Sequence, residues 1–187
     1  ASAEWRLATE QDAQTPEVGA AVAEWYRALH SANLGTDTPE FLSSEYDTLD
    51  PENIRETAIR LGLDHLSVFR LAAESIERLK AALHSLPQVL NYNDFYWGNL
   101  ALSKEQEPLR AVVLDYGLLG IGLSYSDCRN VAFSLGEGAR DAFWAAYGPY
   151  SEQEKILDEA LAGLYSLSEA SKRSRLPGWA SSSVRKA

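Results

Sequence analysis

Three side chains between Asn91 and Asn130 have the types and order that Mg²⁺-assisted phosphoryl transfer to a hydroxyl requires. In NYNDFYWGNLALSKEQEPLRAVVLDYGLLGIGLSYSDCRN, Asp94 stands five positions before Asn99, and Asp115 opens an Asp-Tyr-Gly triplet at the end of an apolar run. A D-x-x-x-x-N loop supplies a base for the hydroxyl proton and an amide oxygen for the metal, and the Asp of an Asp-aromatic-Gly triplet holds the cation that bridges the phosphates. With ten Asp and six Asn in the chain, the D-x-x-x-x-N spacing alone arises by accident about 0.3 times. Requiring the triplet within some thirty residues lowers that to roughly one in a hundred. The bland alternative makes Asp94 a turn residue, Asn99 a loop residue and Asp115 the end of a strand.

These residues need elements that bring them together. Leu100 to Ser103 and Leu109 to Leu114 flank the polar turn KEQEP, and two short strands across such a turn read as a hairpin. The second, LRAVVL, is apolar and β-branched enough to be buried. Asp94 then lies on the loop entering the hairpin and Asp115 on the loop leaving it, so two carboxylates and one amide fold onto the same end. Catalysis of phosphoryl transfer is mostly positioning and charge stabilisation by hard oxygen ligands. Asp115 and Asn99 are therefore the candidate metal ligands and Asp94 the candidate base.

The rest of the chain reads as helical. Glu4 to Glu10 suits a short strand, and Thr15-Pro16-Glu17 opens a helix running to about Ala32, with Val18, Val22, Trp25, Tyr26 and Leu29 on one face. Thr38-Pro39-Glu40 and Asp50-Pro51-Glu52 repeat the start signal, which places a short helix near 39–46 and another at 51–61 that stops at Gly62. Asp64 is expected to cap a long helix with Leu66, Phe69, Ala73, Ile76, Leu79 and Leu83 on one face, Glu74 paired with Arg78, and an end before Pro87. Gly117, Gly120 and Gly122 read as a flexible run. Ser126 should cap a helix from Asp127 to about Leu135; further helices are expected near 137–147 and, from a Ser151/Glu154 capping box, to about Ser171. The fold class is α+β and mainly helical, with no internal repeat and no evident domain boundary.

Composition narrows the function classes. At 187 residues and 45% apolar content the chain can bury a sizeable core. A formal charge of −10 and pI near 4.8 argue against a nucleic-acid surface and lean toward a cationic small molecule. The basic residues Lys172, Arg173, Arg175, Arg185 and Lys186 crowd the end, which suits a solvated tail or helix face. No stretch reaches a membrane span and no export signal is visible. The single cysteine, Cys128, excludes an intramolecular disulfide and a cysteine-based zinc site, so a cytoplasmic home is expected. The absence of methionine, including a starting one, suits a fragment or processed chain.

NYNDFYWGNLAL resembles the HGDLHPGNLL loop of the aminoglycoside phosphotransferase and choline kinase group. VVLDYGLLGIGLSYSDCRNV likewise resembles that group's VIDFEDAGYGDPAYDLA, with Asp115, Gly120, Gly122 and Asp127 on matching letters. The resemblance implies a protein-kinase-like C-terminal lobe in which Asp127 anchors the catalytic loop through its backbone; a first-turn carboxylate complementing a helix dipole is the plainer reading of that residue. His30, in RALHSA, matches a common family letter, although a packed or solvent-facing helix end explains it as well. The family's acceptor-recognition helices correspond to those after the Asp-Tyr-Gly, so Glu137, Asp141 and Trp144 are weak substrate candidates that equally suit an ordinary amphipathic helix. Tyr96 and Trp97, inside the catalytic loop, are better placed to touch a substrate or simply pack under it.

Two departures stand out. Tyr92 and Asn93 occupy the His and Gly positions of the family's HGD, so the loop is open to a different packing. No Gly-rich phosphate loop and no strand Lys with a helix Glu partner are present. The resemblance thus describes one domain over 1–187, with a hinge-like segment at 1–12 and a helical C-lobe at 13–187, and an N-lobe of the same protein as the missing partner. It implies an ATP- and Mg²⁺-dependent phosphotransferase that acts on a hydroxyl of a small, cationic molecule, with the isolated chain nearly inactive. The alternative from another class is a non-catalytic pseudokinase-like interaction module; retention of all three polar residues argues against it.

Overall fold

The computed structural model describes residues 4–32, 42–104 and 108–178. The chain divides into two compact units, residues 1–43 with 88–152 and residues 44–87 with 153–187.

The first unit carries all the candidate residues. It contains β1 (Trp5–Leu7), α1 (Pro16–His30), β2 (Val89–Asn91), β3 (Leu100–Ser103), β4 (Ala111–Val113), β5 (Gly120–Gly122), α4 (Ser124–Ser134) and α5 (Glu137–Tyr147), numbered in order along the whole chain. The expected hairpin is β3–β4, antiparallel with Leu100 opposite Val113, and β1 pairs with its other edge, Leu7 opposite Ala101. Gly120–Gly122 is not a loose run: it is a strand paired antiparallel with β2, Asn91 opposite Gly120. A side chain at Gly120 would meet the Ser43 carbonyl at 2.6 Å and one at Gly122 the Asn91 amide at 2.8 Å, so these glycines answer to packing.

Helix α1 begins at Pro16 as expected, but Thr15 gives its N-terminus no side-chain bond; its hydroxyl donates to the Asp12 carbonyl instead. Val18, Val22 and Tyr26 on α1 share a core with Tyr92, Leu100, Leu102, Val113, Val131 and Phe143. Gly19 permits the close approach of α1 to α5, where an added Cβ would lie 1.9 Å from the Ala139 carbonyl oxygen. Helix α4 starts at Ser124 with Leu123 as N-cap, so Ser126 lies within the first turn and does not cap it.

The second unit contains α2 (Pro51–Leu61), α3 (Ser67–His84) and α6 (Glu152–Ser171). Asp50 caps α2 by accepting from the Glu52 and Asn53 amides at 2.8 Å, and Gly62 closes it at φ 69°. Helix α3 starts three residues beyond Asp64, and Glu74 pairs with Arg70 rather than Arg78. The helix expected near 39–46 is corrected: 33–41 lie outside the described residues, and a 3-10 turn at Glu45–Thr48 follows extended backbone. Tyr46 donates to the buried Asp158 at 2.5 Å and Ser168 to Asn53 at 2.8 Å, which tie α6 to the earlier elements.

Candidate active site

The loop carrying Asp94 is held from below by one buried carboxylate. Asp127, in the first turn of α4 and 0% exposed, accepts the backbone N–H of Tyr92 and of Asn93, each at 2.8 Å. It also bonds His30 Nε2 at 3.1 Å, and His30 Nδ1 bonds the Tyr147 hydroxyl at 2.7 Å. Because an ionised carboxylate only accepts, Nε2 must carry a proton. His30 is therefore a packed residue joining α1, α4 and α5. Ser134 adds a further tie by donating to the Phe95 carbonyl at 3.0 Å.

Asn93 has φ 61°, the left-handed region that glycine enters freely and Asn tolerates better than most residues. Asn at this position thus makes the backbone bend without a glycine. Tyr92 is fully buried, with Trp25 and Tyr116 edge-on at 5.9 Å each. Its hydroxyl donates to the Leu114 carbonyl and accepts from Asn99 Nδ2 at 3.4 Å. Burial pushes its pKa to about 12, so it stays a donor.

The structure brings Asp94, Asn99 and Asp115 to the end of the hairpin. A 3-10 turn at Trp97–Asn99 returns the chain so that Asn99 Nδ2 lies 3.5 Å from both the backbone oxygen and Oδ2 of Asp94. The Leu114 amide donates to the Asn99 carbonyl at 2.7 Å, which joins the two loops directly before Asp115. Asp115 is exposed with φ 65°, a second non-glycine residue in the left-handed region; such strain gathers at functional sites. The Asp94 carboxyl is pushed above the ordinary range by burial and then by the charge of Asp115. A carboxyl whose ionisation is opposed by a neighbouring carboxylate, beside an amide, is part of a donor set that a hard divalent cation would relieve. No group of three or more His, Cys, Asp or Glu among the described residues could hold a metal by itself. Mg²⁺ commonly takes only one or two carboxylates from a protein and completes its shell with phosphate and water, so the residues fit.

Of the substrate candidates, Tyr96 and Trp97 lie on this loop with ring centroids 4.9 Å apart, Tyr96 51% exposed. Glu137 and Asp141 are exposed on α5, and Trp144 packs against Tyr125 and Tyr150 at 6.2 and 5.2 Å. None of these three hydrogen-bonds the Asp94 loop among the described residues. Sequence reasoning missed the Tyr92 hydroxyl and the His30–Tyr147 contact. It also missed a cleft of about 480 Å³ on the β1–β3–β4 sheet, lined by Trp5, Arg6, Leu7, Ala101, Val112 and Leu114. The exposed apolar residues Leu7 and Leu114 were the available signal for the cleft; Tyr147 carried none.

Residues 1–161 match the family model described as the phosphotransferase enzyme family, APH. The chain belongs to this family. Among solved structures, a choline/ethanolamine kinase family protein from Mesorhizobium loti matches with TM-score 0.60 at 14% identity, over 97% of this chain and 65% of its own. Choline kinase LicA from Streptococcus pneumoniae matches with TM-score 0.59 at 11% identity, over 98% and 65%. An ethanolamine kinase from Plasmodium vivax matches with TM-score 0.52 at 14% identity, over 88% and 54%. The chain spans less than two thirds of the length of these solved relatives. At such identities the likeness is one of fold, and the mainly helical α+β architecture is that of these kinases. No curated protein matches the chain. No helix among the described residues is long and apolar enough to cross a membrane.

Proposed function

We propose that this family member is the catalytic C-lobe of an ATP- and Mg²⁺-dependent phosphotransferase that acts on a hydroxyl of a small, cationic molecule. The observation that carries this reading is the meeting of Asp94, Asn99 and Asp115 at one end of the β3–β4 hairpin, with Asp94 half-buried beside a second carboxylate. Asp94 accepts the acceptor's hydroxyl proton, a task favoured by a carboxylate whose basicity is raised. Asp115 and the Asn99 amide oxygen would hold Mg²⁺. Bound Mg²⁺-ATP supplies an electrophilic phosphorus and neutralises charge on the phosphate oxygens. Asp127 keeps the loop at its height, and Tyr96 and Trp97 offer aromatic surface to the acceptor.

The cleft on the β1–β3–β4 sheet is apolar and lies next to Leu114, the neighbour of Asp115, which suits a flat nucleobase. Parts that cover the phosphates belong to an N-lobe, in keeping with the greater length of the solved relatives, and the 187-residue chain by itself is nearly inactive. Acidic charge, the aromatic group Tyr125–Trp144–Tyr150 and the nearby carboxylates Glu137 and Asp141 favour an ammonium-bearing acceptor. A reducing, cytoplasmic site of action suits a chain with a single buried cysteine. Transfer of labelled γ-phosphate by a protein joining this chain to its N-lobe, screened over choline, ethanolamine and aminoglycosides, tests the reading; labelling of at least one is expected, and none would refute it.

A further inference from the structure

We infer that Tyr92 is a positioning residue, whose hydroxyl selects the orientation of the Asn99 amide and thereby leaves its oxygen free for the cation; this rests on the metal-site reading above. The Leu114 carbonyl can only accept, so the Tyr92 proton is committed to it. What the hydroxyl then turns toward Asn99 is a lone pair, which demands the amide NH₂ and not its oxygen. The Asp94 carbonyl and carboxylate, also acceptors, lie on the same side of the amide at 3.5 Å. All three contacts of 3.4–3.5 Å are long. No single one holds the side chain, and the share of Tyr92, the most deeply buried of the partners, matters accordingly.

With Nδ2 engaged, Oδ1 of Asn99 accepts no hydrogen bond among the described residues. A freely rotating amide would present NH₂ to a cation as readily as oxygen. The same hydroxyl bonds the residue immediately before Asp115, so one atom fixes both candidate ligands relative to each other. The Tyr in place of the family's His therefore has its own job: its hydroxyl bonds both Asn99 and the Leu114 carbonyl and so couples the catalytic loop to the metal loop. Groups that orient metal ligands in this way change metal affinity by roughly 10–100-fold when removed.

The test uses Mg²⁺ alone, titrated into the 187-residue chain and followed by chemical shifts of the Asn99 and Gly117 amides. Wild type should show saturable shifts that Asp115→Asn abolishes. Tyr92→Phe should weaken Mg²⁺ binding about tenfold, and should add nothing in an Asn99→Ala background, because it acts through Asn99. Affinity within twofold of wild type for Tyr92→Phe, with Asp115→Asn still abolishing binding, overturns the inference and leaves the metal site standing. A further tenfold loss in the Asn99→Ala background overturns it too. Absence of saturable shifts in wild type refutes the metal site itself. A measurement that needs no variant to fold is the nuclear Overhauser contact between the Asn99 side-chain NH₂ and the Tyr92 ring. Its presence is expected, and its absence overturns the bridge.

Discussion

Replacing Asp127 with alanine removes the acceptor for two backbone N–H groups and for one imidazole in a part of the core that water does not reach. Each orphaned N–H costs roughly 1–3 kcal/mol. Relief from burying a carboxylate offsets part of this, and breaking buried charged pairs by removing one partner leaves a net loss of about 3–5 kcal/mol. Asp127→Asn retains one oxygen for one N–H but turns an NH₂ toward the other, so its cost should be intermediate, about 2 kcal/mol. Urea denaturation followed by Trp fluorescence measures this well, since Trp5, Trp25, Trp97 and Trp144 all lie in the first unit and only Trp179 lies outside it. With a slope near 2 kcal/mol per molar, the alanine midpoint should fall by about 2 M. A loss below about 1 kcal/mol for alanine, or an asparagine variant as stable as wild type, would show that the loop is not held by this carboxylate.

Other expectations follow from the same geometry. The folded Asp94 carboxyl titrates above its ordinary value of 3.8, so its stabilising contribution is complete below that value and is lost as pH rises through the higher folded one. Asp94→Asn should then be more stable than wild type at pH 7, with the gap closing toward pH 3, while phosphoryl transfer falls by about 10²–10⁴-fold; a less stable variant at pH 7 in thermal melts would contradict this. Asn93→Gly should be tolerated at φ 61° whereas Asn93→Val should lose about 1–2 kcal/mol in urea titrations. Gly19→Val, driven into the Ala139 backbone, should cost at least 1–3 kcal/mol by the same assay, and a neutral result would mean that α1 and α5 are further apart.

What could be read from the sequence was what depends on near neighbours. Thr15-Pro16-Glu17 and Asp50-Pro51-Glu52 mark helix starts because proline in the first turn of both, and the capping oxygen of Asp50 in the second, act within four residues, and both helices begin at those prolines. Helix α3 starts later than Asp64 suggests because its N-cap, Leu66, offers no side-chain acceptor, so no capping residue marks the start. Strand β5 carries little local signal, since two of its three residues are glycine, and it exists by pairing with a segment about thirty residues earlier. The Asp94–Asn99 spacing and the Asp115 triplet are local patterns and could be seen. The Tyr147–His30–Asp127 contacts span 117 and 97 residues, and no local signal announces them.

The central claim is that Asp94 and Asp115 act in phosphoryl transfer, and turnover of the intact protein with each carboxylate removed tests it most directly. With γ-labelled ATP, Mg²⁺ and an acceptor that wild type phosphorylates, Asp94→Ala and Asp115→Ala should each lose at least about 10²-fold in rate while keeping the wild-type far-ultraviolet circular dichroism. Normal turnover in either folded variant would contradict the account.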